Sequence, residues 1–218
     1  MNNNDLFDIL PEGFRLAAQE DLSLVNLTLA QAFADYKYPI PSLDVSYSAL
    51  LRLYYELGSN CIKNDLENGY ILTNDDFSAV LCLVPYELRT QYDIEALYKI
   101  LKENDGEKAA DNMVKIFDYI CLEEEKIKID KGTIFVDMFA VQPLKQGKKL
   151  GSKLMRELFF HCEKKNRNIF LYTNTERNKS IYKHFGYDVV SEVHKEEFNS
   201  DTYFLLWKSP KQKIWFNT

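Results

Sequence analysis

Hydrophobic positions along the chain follow two different periods, and the order of these periods predicts an α/β protein. Short runs rich in β-branched and aromatic residues predict strands. Apolar residues spaced three and four apart predict helices with one buried face. The predicted strands are Phe14–Ala17, Glu67–Thr73, Phe77–Val84, Thr133–Val141, Asn168–Tyr172, Tyr187–Ser191 and Asp201–Lys208.

Helical periodicity fills the intervals between most of these strands. Asp21 is the predicted N-cap of the first helix. The second helix is predicted to begin after Ser42 or Asp44 and to stop near Gly58, and residues 192–197 are predicted to form a loop. Further helices are predicted over residues 152–162 and 176–185.

Composition predicts a single globular domain over residues 1–218. The chain is 46% hydrophobic and 28% charged, a balance typical of globular proteins that need no metal or disulfide for stability. No apolar run has the length of a membrane span, and the first residues do not resemble a signal peptide. The four cysteines lie far apart and are interpreted as reduced thiols of a cytoplasmic protein. Because the net charge is −6, we expect no nucleic-acid partner.

The stretch from Thr133 to Ser152 carries the clearest chemical signal. A predicted strand ends before Pro143, a loop with two glycines and three lysines follows, and a helix then begins. This arrangement directs free backbone N–H groups and the positive end of the helix dipole at whatever lies above the loop. It is a typical site for an anion, most often a phosphate. The Walker pattern and the dinucleotide fingerprint are both absent.

This stretch resembles motif A of the GNAT superfamily of N-acetyltransferases. Val141, Pro143, Gln146 and Gly151 occupy the matching positions. The resemblance implies that the loop binds the pyrophosphate of acetyl-CoA and that the strand end pairs with its pantetheine arm. The cofactor-binding residues so implied are Phe139, Ala140, Val141, Gln146, Gly147, Lys148, Lys149, Leu150, Gly151 and Ser152.

A second stretch resembles motif B of the same superfamily, at the expected distance after motif A. The matching residues are Leu171, Thr173, Asn178, Tyr182, Phe185, Gly186 and Tyr187. The resemblance adds Asn178 and Tyr182 to the cofactor-binding residues. It implies a GNAT fold, with a mixed and mostly antiparallel sheet flanked by helices. It further implies direct transfer of an acetyl group from acetyl-CoA to a primary amine of a small-molecule or peptide acceptor.

Compact proteins of this superfamily have no counterpart of the two amphipathic segments over residues 93–128. Asn104-Asp-Gly106 separates them, so we expect two helices inserted before the motif A strand. Insertions of this length are usually functional or form an interface. We therefore expect the pair to cover the acceptor side of the cleft or to contact a second subunit. A homodimer is left open, and the aromatics Tyr36, Tyr38 and Tyr47 are further candidates for the acceptor pocket.

Two residues are predicted to move protons. Tyr182 is the candidate general acid, because a phenol suits protonation of a leaving thiolate; the alternative is a core tyrosine. Asp137 is the candidate general base, because strand alternation is expected to place it on the same face as Phe139 and Val141; the alternative is a structural ion pair. His161, His184 and His194 are weaker candidates for the base. No metal is expected.

Lys149 departs from the motif, since the superfamily usually has glycine at this position. Its side chain either obstructs close approach of the phosphates or adds a cation beside them. If it obstructs them, the alternative function is a catalytically weak or inactive CoA-binding sensor or scaffold.

Overall fold

The computed structural model describes residues 6–34, 47–90 and 94–210. Within these ranges the helices and strands occur in the order that the hydrophobic pattern predicts. The helices are α1 (Leu22–Ala34), α2 (Tyr47–Asn68), α3 (Ile94–Asp105), α4 (Glu107–Glu124), α5 (Leu150–Lys164) and α6 (Glu176–His184). The strands are β1 (Phe14–Leu16), β2 (Tyr70–Asn74), β3 (Ala79–Pro85), β4 (Ile134–Val141), β5 (Ile169–Thr173), β6 (Asp188–Lys195) and β7 (Ser200–Trp207).

The described strands form one seven-stranded sheet in the order β1-β2-β3-β4-β5-β7-β6. Every neighbouring pair is antiparallel except β4 and β5, which are parallel. The predicted mixed, mostly antiparallel sheet is therefore confirmed. Within the described residues, pairing between β4 and β5 is confined to Ile134–Ile169 and Phe135–Phe170. The two strands then diverge, so residues 136–141 of β4 border a gap in the sheet.

Each face of the sheet is covered by its own hydrophobic core. One core joins the sheet to α1, α2, α3 and α4, and includes Leu29, Tyr54 and Met113. The other joins the sheet to α5, and includes Leu154 and Leu158. Phe135 belongs to the first core and Val136 to the second, as strand alternation requires. The helices therefore lie on both faces of the sheet, as the resemblance implies.

Helix α2 continues past Gly58 to Asn68, and the prediction that it stops near Gly58 is wrong. The glycine serves packing rather than termination. A Cβ built at Gly58 would lie 2.7 Å from Oδ1 of Asn26 on α1. Glycine therefore allows the two helices to approach each other closely. The following strand begins only at Tyr70.

Strand β6 is also longer than predicted, because it continues to Lys195 through residues that were expected to form a loop. Its residues alternate between exposed and half-buried positions. Backbone pairing with β7 persists from Asp188 to Lys195. Pairing with one buried strand is therefore sufficient to hold a polar strand at the edge of a sheet.

The break between α3 and α4 occurs where the sequence predicts it. Gly106 has a φ of 88°, a conformation that favours glycine, and α4 begins at the next residue. Asp21 immediately precedes α1, but its carboxylate accepts a hydrogen bond from the Ala18 amide at 2.8 Å and pairs with Arg15. It therefore fixes the turn that leads into the helix. Throughout the described ranges, each helix is too short or too polar to cross a membrane.

Candidate functional site

A cavity of about 630 Å³ opens where β4 and β5 diverge. Its walls are the end of β4, the turn into α5 and one side of α6, with α1 contributing two residues. The residues that line it are Ala32, Phe33, Phe139, Ala140, Val141, Lys145, Gln146, Gly147, Lys149, Leu150, Gly151, Ser152, Thr175, Arg177, Asn178, Ile181, Tyr182 and Phe185. The two motif regions thus meet across one cavity.

The turn into α5 leaves backbone N–H groups directed at this cavity. Gly147 has a φ of 78° and Lys149 a φ of 62°, so the chain turns sharply twice before the helix. Lys149 occupies the N-cap position, and no side chain of the described residues caps the first amides of α5. The first N–H groups of a helix have no partner within it. The amides of Leu150, Gly151 and Ser152 are therefore suited to an anion.

Gly151 allows α5 to lie directly against the end of β4. A Cβ at this position would come within 2.9 Å of Cζ of Phe139 and 3.2 Å of Cγ2 of Val141. Both distances are shorter than ordinary carbon contacts. The glycine is therefore required for the close packing that places the helix N-terminus beside the strand end.

The charge on the cavity wall is positive. Lys145, Lys149 and Arg177 line it, and among the described lining residues none is acidic. Nζ of Lys145 lies 3.4 Å from Oδ2 of Asp76, an exposed pair. Nε2 of Gln146 donates a hydrogen bond to the Val141 carbonyl at 3.3 Å, which ties the turn to the strand. The wall therefore combines cations with free amides.

Helix α6 presents Asn178 and Tyr182 from the opposite wall. Oγ1 of Thr175 accepts a hydrogen bond from the Asn178 amide at 3.2 Å, which caps the start of the helix. At the other end Gly186 has a φ of 90°, and the Tyr187 amide donates to the Tyr182 carbonyl at 3.1 Å. The rings of Tyr182 and Tyr187 pack edge to face with centroids 5.5 Å apart. The two caps thus fix the ends of α6, and the ring contact with Tyr187 orients the Tyr182 side chain.

Most of the predicted cofactor-binding residues come together here. Lys148 is the exception among them, since it is exposed and does not line the cavity. Tyr36 and Tyr38 lie outside the described residues, and Tyr47 is exposed at the start of α2. The functional roles assigned to all these residues remain predictions.

Asp137 does not share a face with Phe139 and Val141, and the expectation that it does is wrong. The β3–β4 pairing passes from Cys82–Met138 to Leu83–Val136 and skips Asp137, which forms a β-bulge. Residues 139 and 141 pack with α5 in one core, whereas Asp137 acts electrostatically on Asp65 of α2 and Cys82 of β3, on the other face. A bulge adds one residue and so reverses the alternation that follows it. Asp137 is half-buried and does not line the cavity.

The three histidines lie away from the cavity. His161 is buried on α5 beside the ring of Phe7, with centroids 4.9 Å apart, and burial lowers the pKa of its imidazole. His184 is exposed on α6. Nδ1 of His194 lies 2.7 Å from Oδ1 of Asp201, on the exposed side of β6. Among the described residues, no group of three or more His, Cys, Asp or Glu could hold a metal ion.

Several cavity residues were not among the predicted cofactor-binding residues. Ile181 and Phe185 follow Asn178 at helical spacing, so the face of α6 that carries Tyr182 could have predicted them. Arg177 carries no such signal. Ala32 and Phe33 reach the cavity only because α1 packs across the sheet.

Part of the chain matches a known protein family. Residues 103–189 match the family described as Acetyltransferase (GNAT) domain. No curated protein matches the sequence. One similar solved structure is described as histone acetyltransferase HPA2 and related acetyltransferase from Corynebacterium glutamicum ATCC 13032. Its TM-score is 0.59 at 16% identity, over 92% of this chain and 97% of that one.

Two insect enzymes are similar in structure. One is mosquito arylalkylamine N-acetyltransferase like 5b, with a TM-score of 0.56 at 15% identity over 89% of this chain and 98% of that chain. The other is arylalkylamine N-acetyltransferase 2 from Aedes aegypti, with a TM-score of 0.55 at 14% identity over 89% and 97%. At these identities the likeness concerns the fold.

Proposed function

We propose that this chain, of which residues 103–189 match the GNAT acetyltransferase domain, is a member of the GNAT superfamily and an N-acetyltransferase that uses acetyl-CoA. The acetyl group would pass directly to a primary amine of a small-molecule or peptide acceptor. The observation that carries the proposal is the uncapped N-terminus of α5, which faces a cavity with a cationic wall at the point where β4 and β5 diverge.

The residues of the turn fit a pyrophosphate. The amides of Leu150, Gly151 and Ser152 can donate to its oxygens, and the dipole of α5 favours negative charge at the same point. Lys145 and Lys149 add two cations on the cavity wall. Charge-assisted hydrogen bonds of this kind are about twice as strong as neutral ones.

The strand end fits the remainder of the donor. Residues 136–141 of β4 border the gap, and Phe139, Ala140 and Val141 line the cavity. An amide-bearing arm can therefore hydrogen-bond to the side of β4 that faces away from β3. A backbone N–H near Val141 is suited to polarise the thioester carbonyl as negative charge develops on its oxygen.

Two side chains would move protons. The Tyr182 hydroxyl would donate its proton to the leaving thiolate, and the phenolate would recover a proton from solvent. Asp137 would accept the proton that the amine loses, directly or through one water. Asp137 would act from the bulge of β4, on the face opposite Phe139 and outside the lining of the cavity.

The acceptor class can be tested with a short panel of primary amines. An arylalkylamine belongs in it because two similar folds carry that name. A polyamine and a peptide with a free N-terminus complete it, because a chain of net charge −6 favours cationic acceptors. Cytoplasmic location, a homodimer, and the lack of nucleic-acid, membrane and metal partners remain predictions.

The proposal is tested by calorimetry with CoA and by release of free thiol from acetyl-CoA in the presence of each amine. We expect binding at micromolar to millimolar CoA and thiol release with at least one amine. The triple variant Lys145→Ala, Lys149→Ala, Arg177→Ala should weaken binding, whereas Lys148→Ala, which alters a neighbouring lysine outside the cavity, should not. Absence of CoA binding at millimolar concentration would contradict the proposal.

Lys149 favours one alternative, a CoA-binding sensor or scaffold with little activity. Its left-handed backbone places a long side chain on the cavity wall at the glycine position of the motif. CoA binding without thiol release across the whole panel would favour this alternative over the enzyme.

A further inference from the structure

Asp65 is a buried carboxylic acid on the inner side of α2. Its exposure is 0%, and neither carboxylate oxygen has a hydrogen-bond partner among the described residues. Burial of an ionised carboxylate without such partners is strongly unfavourable. A protonated carboxyl group can occupy such a position because it carries no net charge.

Asp137 is the acidic neighbour of Asp65. Burial raises the pKa of Asp65 well above its usual value, the negative charge of Asp137 raises it further, and Arg89 opposes both effects. Burial also raises the pKa of the Cys82 thiol, and the charges of Asp65 and Asp137 raise it further. Cys82 pairs with Met138, next to the skipped Asp137.

The Gly69 amide donates to the Asp65 carbonyl at 2.9 Å, and a Cβ at Gly69 would overlap the carbonyl oxygen of Leu83, the β3 residue at the register shift. The last turns of α2, which carry Asp65, therefore pack beneath the bulge that contains Asp137.

The nearby cation does not remove this repulsion. Arg89 forms an ion pair with Glu124 of α4, and the Tyr86 hydroxyl donates to the same carboxylate at 2.8 Å. The guanidinium also stacks on the Phe135 ring, with its carbon 3.8 Å from the ring centroid. Among the described residues, the charged or titratable groups around this site include Asp65, Asp137, Cys82, Arg89, Glu124, Tyr86 and Cys121.

We infer that the Asp65–Asp137 pair beneath the β4 bulge carries a single proton, that this proton is on Asp65, and that Asp65 thereby controls the proton affinity of Asp137. Asp65 is a positioning residue, because it would act on the amine only through Asp137. The catalytic consequence of this inference rests on the proposed function. The protonation of Asp65 does not depend on that function. When two carboxyl groups are close, their protons leave in two steps that belong to the pair.

The chemical consequence follows from these two steps. After the first proton leaves, Asp137 can accept the proton of the attacking amine while Asp65 stays neutral. After the second leaves, the charge on Asp65 increases the proton affinity of Asp137. A stronger base accelerates proton abstraction, so activity should rise again when Asp65 ionises.

The proton on Asp65 is tested by urea unfolding between about pH 5 and about pH 8. Because the pKa of Asp65 is raised on folding, the folded protein binds more protons than the unfolded chain above the unfolded pKa. Stability should therefore fall as pH rises toward the folded pKa. Asp65→Asn should remove this fall, and Asp75→Asn, which alters an exposed acid, should leave it unchanged. Parallel curves for wild type and Asp65→Asn would overturn the inference.

Asp137→Asn supplies a second test that holds even if Asp65→Asn does not fold. Removal of the neighbouring charge should lower the folded pKa of Asp65, so the fall in stability should end at a lower pH than in wild type. An unchanged curve would show that the two groups are not coupled, and would also overturn the inference.

Kinetics test the catalytic consequence with the panel amine of highest kcat/KM. The ratio of kcat/KM for wild type to that for Asp65→Asn cancels the titration of the amine itself. We expect this ratio to rise at least threefold between about pH 6 and about pH 9. If Asp65 has only a structural role, the ratio of kcat/KM values should stay constant with pH. That result would overturn the inference that Asp65 controls the proton affinity of Asp137. Failure of the proposed function is distinguishable, because it would abolish transfer and leave both stability curves as expected.

Discussion

Lys149 has a left-handed backbone at the point where the chain enters α5. The conformation disfavours any residue with a Cβ by roughly 1–2 kcal/mol, and glycine is exempt from that steric term. The fold therefore tolerates strain at this position instead of using the glycine that is usual in the motif. The lysine side chain on the cavity wall is the evident compensation.

Lys149→Gly should stabilise the fold and weaken CoA binding at the same time. We expect the free energy of unfolding to rise by about 0.5–1 kcal/mol, measured by urea denaturation. CoA affinity should fall about three- to fivefold, because the lost cation is exposed and its contact is partly screened. Lys148→Gly is the control, since Lys148 is not among the residues with positive φ and should gain no stability. Tighter CoA binding by Lys149→Gly would show that the lysine obstructs the phosphates.

Tyr182→Phe should lower kcat and preserve the fold. The substitution keeps the ring that packs on Tyr187 and removes only the hydroxyl proposed to protonate the thiolate. General acid catalysis contributes about 10²–10⁴-fold, so we expect kcat to fall by at least tenfold with the KM for acetyl-CoA nearly unchanged. Steady-state kinetics on the best amine of the panel measure both. Wild-type kcat across the pH range would exclude the role.

For single residues, the sequence shows their spacing within a motif but does not show where the fold places their side chains. Gln146, Gly151 and Tyr182 could be placed because the motif spacing fixes them on a turn and a helix face. The face of Asp137 could not be placed, since a one-residue bulge arises from pairing with β3 and reverses strand alternation. The burial of Asp65 could not be predicted, because its helix was predicted to end seven residues earlier, near Gly58.

Helices α3 and α4 form part of the hydrophobic core that also contains α1 and α2, so they are integral to the fold. Leu97, Leu101, Met113, Ile116 and Phe117 are buried in the core that also contains residues of α1, α2 and β3. That the pair is inserted relative to compact members of the superfamily remains a prediction. Its deletion would open the core, so point substitutions are the suitable probe.

Met113→Ala should destabilise the protein through loss of core packing. Met113 is 1% exposed, and truncation of such a side chain costs about 2–5 kcal/mol of unfolding free energy. Leu122→Ala on the same helix is the matched control, since Leu122 is 59% exposed and should change stability by less than about 0.5 kcal/mol. Urea unfolding measures both. A small effect at Met113 would show that α4 can detach from the sheet.

Helices and strands with strong periodicity were predictable, and their ends were less so. The break at Gly106 was found because glycine and its polar neighbours are local signals. The end of α2 was missed because Gly58 serves helix packing against Asn26, a contact 32 positions distant in sequence. The end of β6 was missed because a polar strand depends on its neighbour for pairing.

The molecule as a whole is acidic, but the cavity wall at the α5 turn carries cations. The net charge is −6, whereas Lys145, Lys149 and Arg177 line the cavity. An anionic ligand is therefore repelled at long range and attracted at short range. Salt screens both effects over about 10 Å at 0.1 M ionic strength.

CoA affinity should fall as salt rises, because the contacts with the pyrophosphate lie at short range on a partly open wall. We expect a decrease of roughly three- to tenfold between about 0.05 M and about 0.5 M salt, measured by calorimetry. Pantetheine, which lacks the phosphates, is the control ligand and should bind weakly with little salt dependence. Equal salt dependence for both ligands would place the phosphates away from the cationic wall.

The two outer strands of the sheet differ in a way that bears on self-association. Strand β1 has only three residues, and β6 has a bulge at Val190 and exposed charged or titratable side chains at Asp188, Glu192 and His194. Short, bulged or charged edges hinder strand addition by a second molecule. The protein should therefore resist aggregation through its sheet edges, and a dimer, if formed, should join through helical surfaces with each sheet ending inside its own subunit.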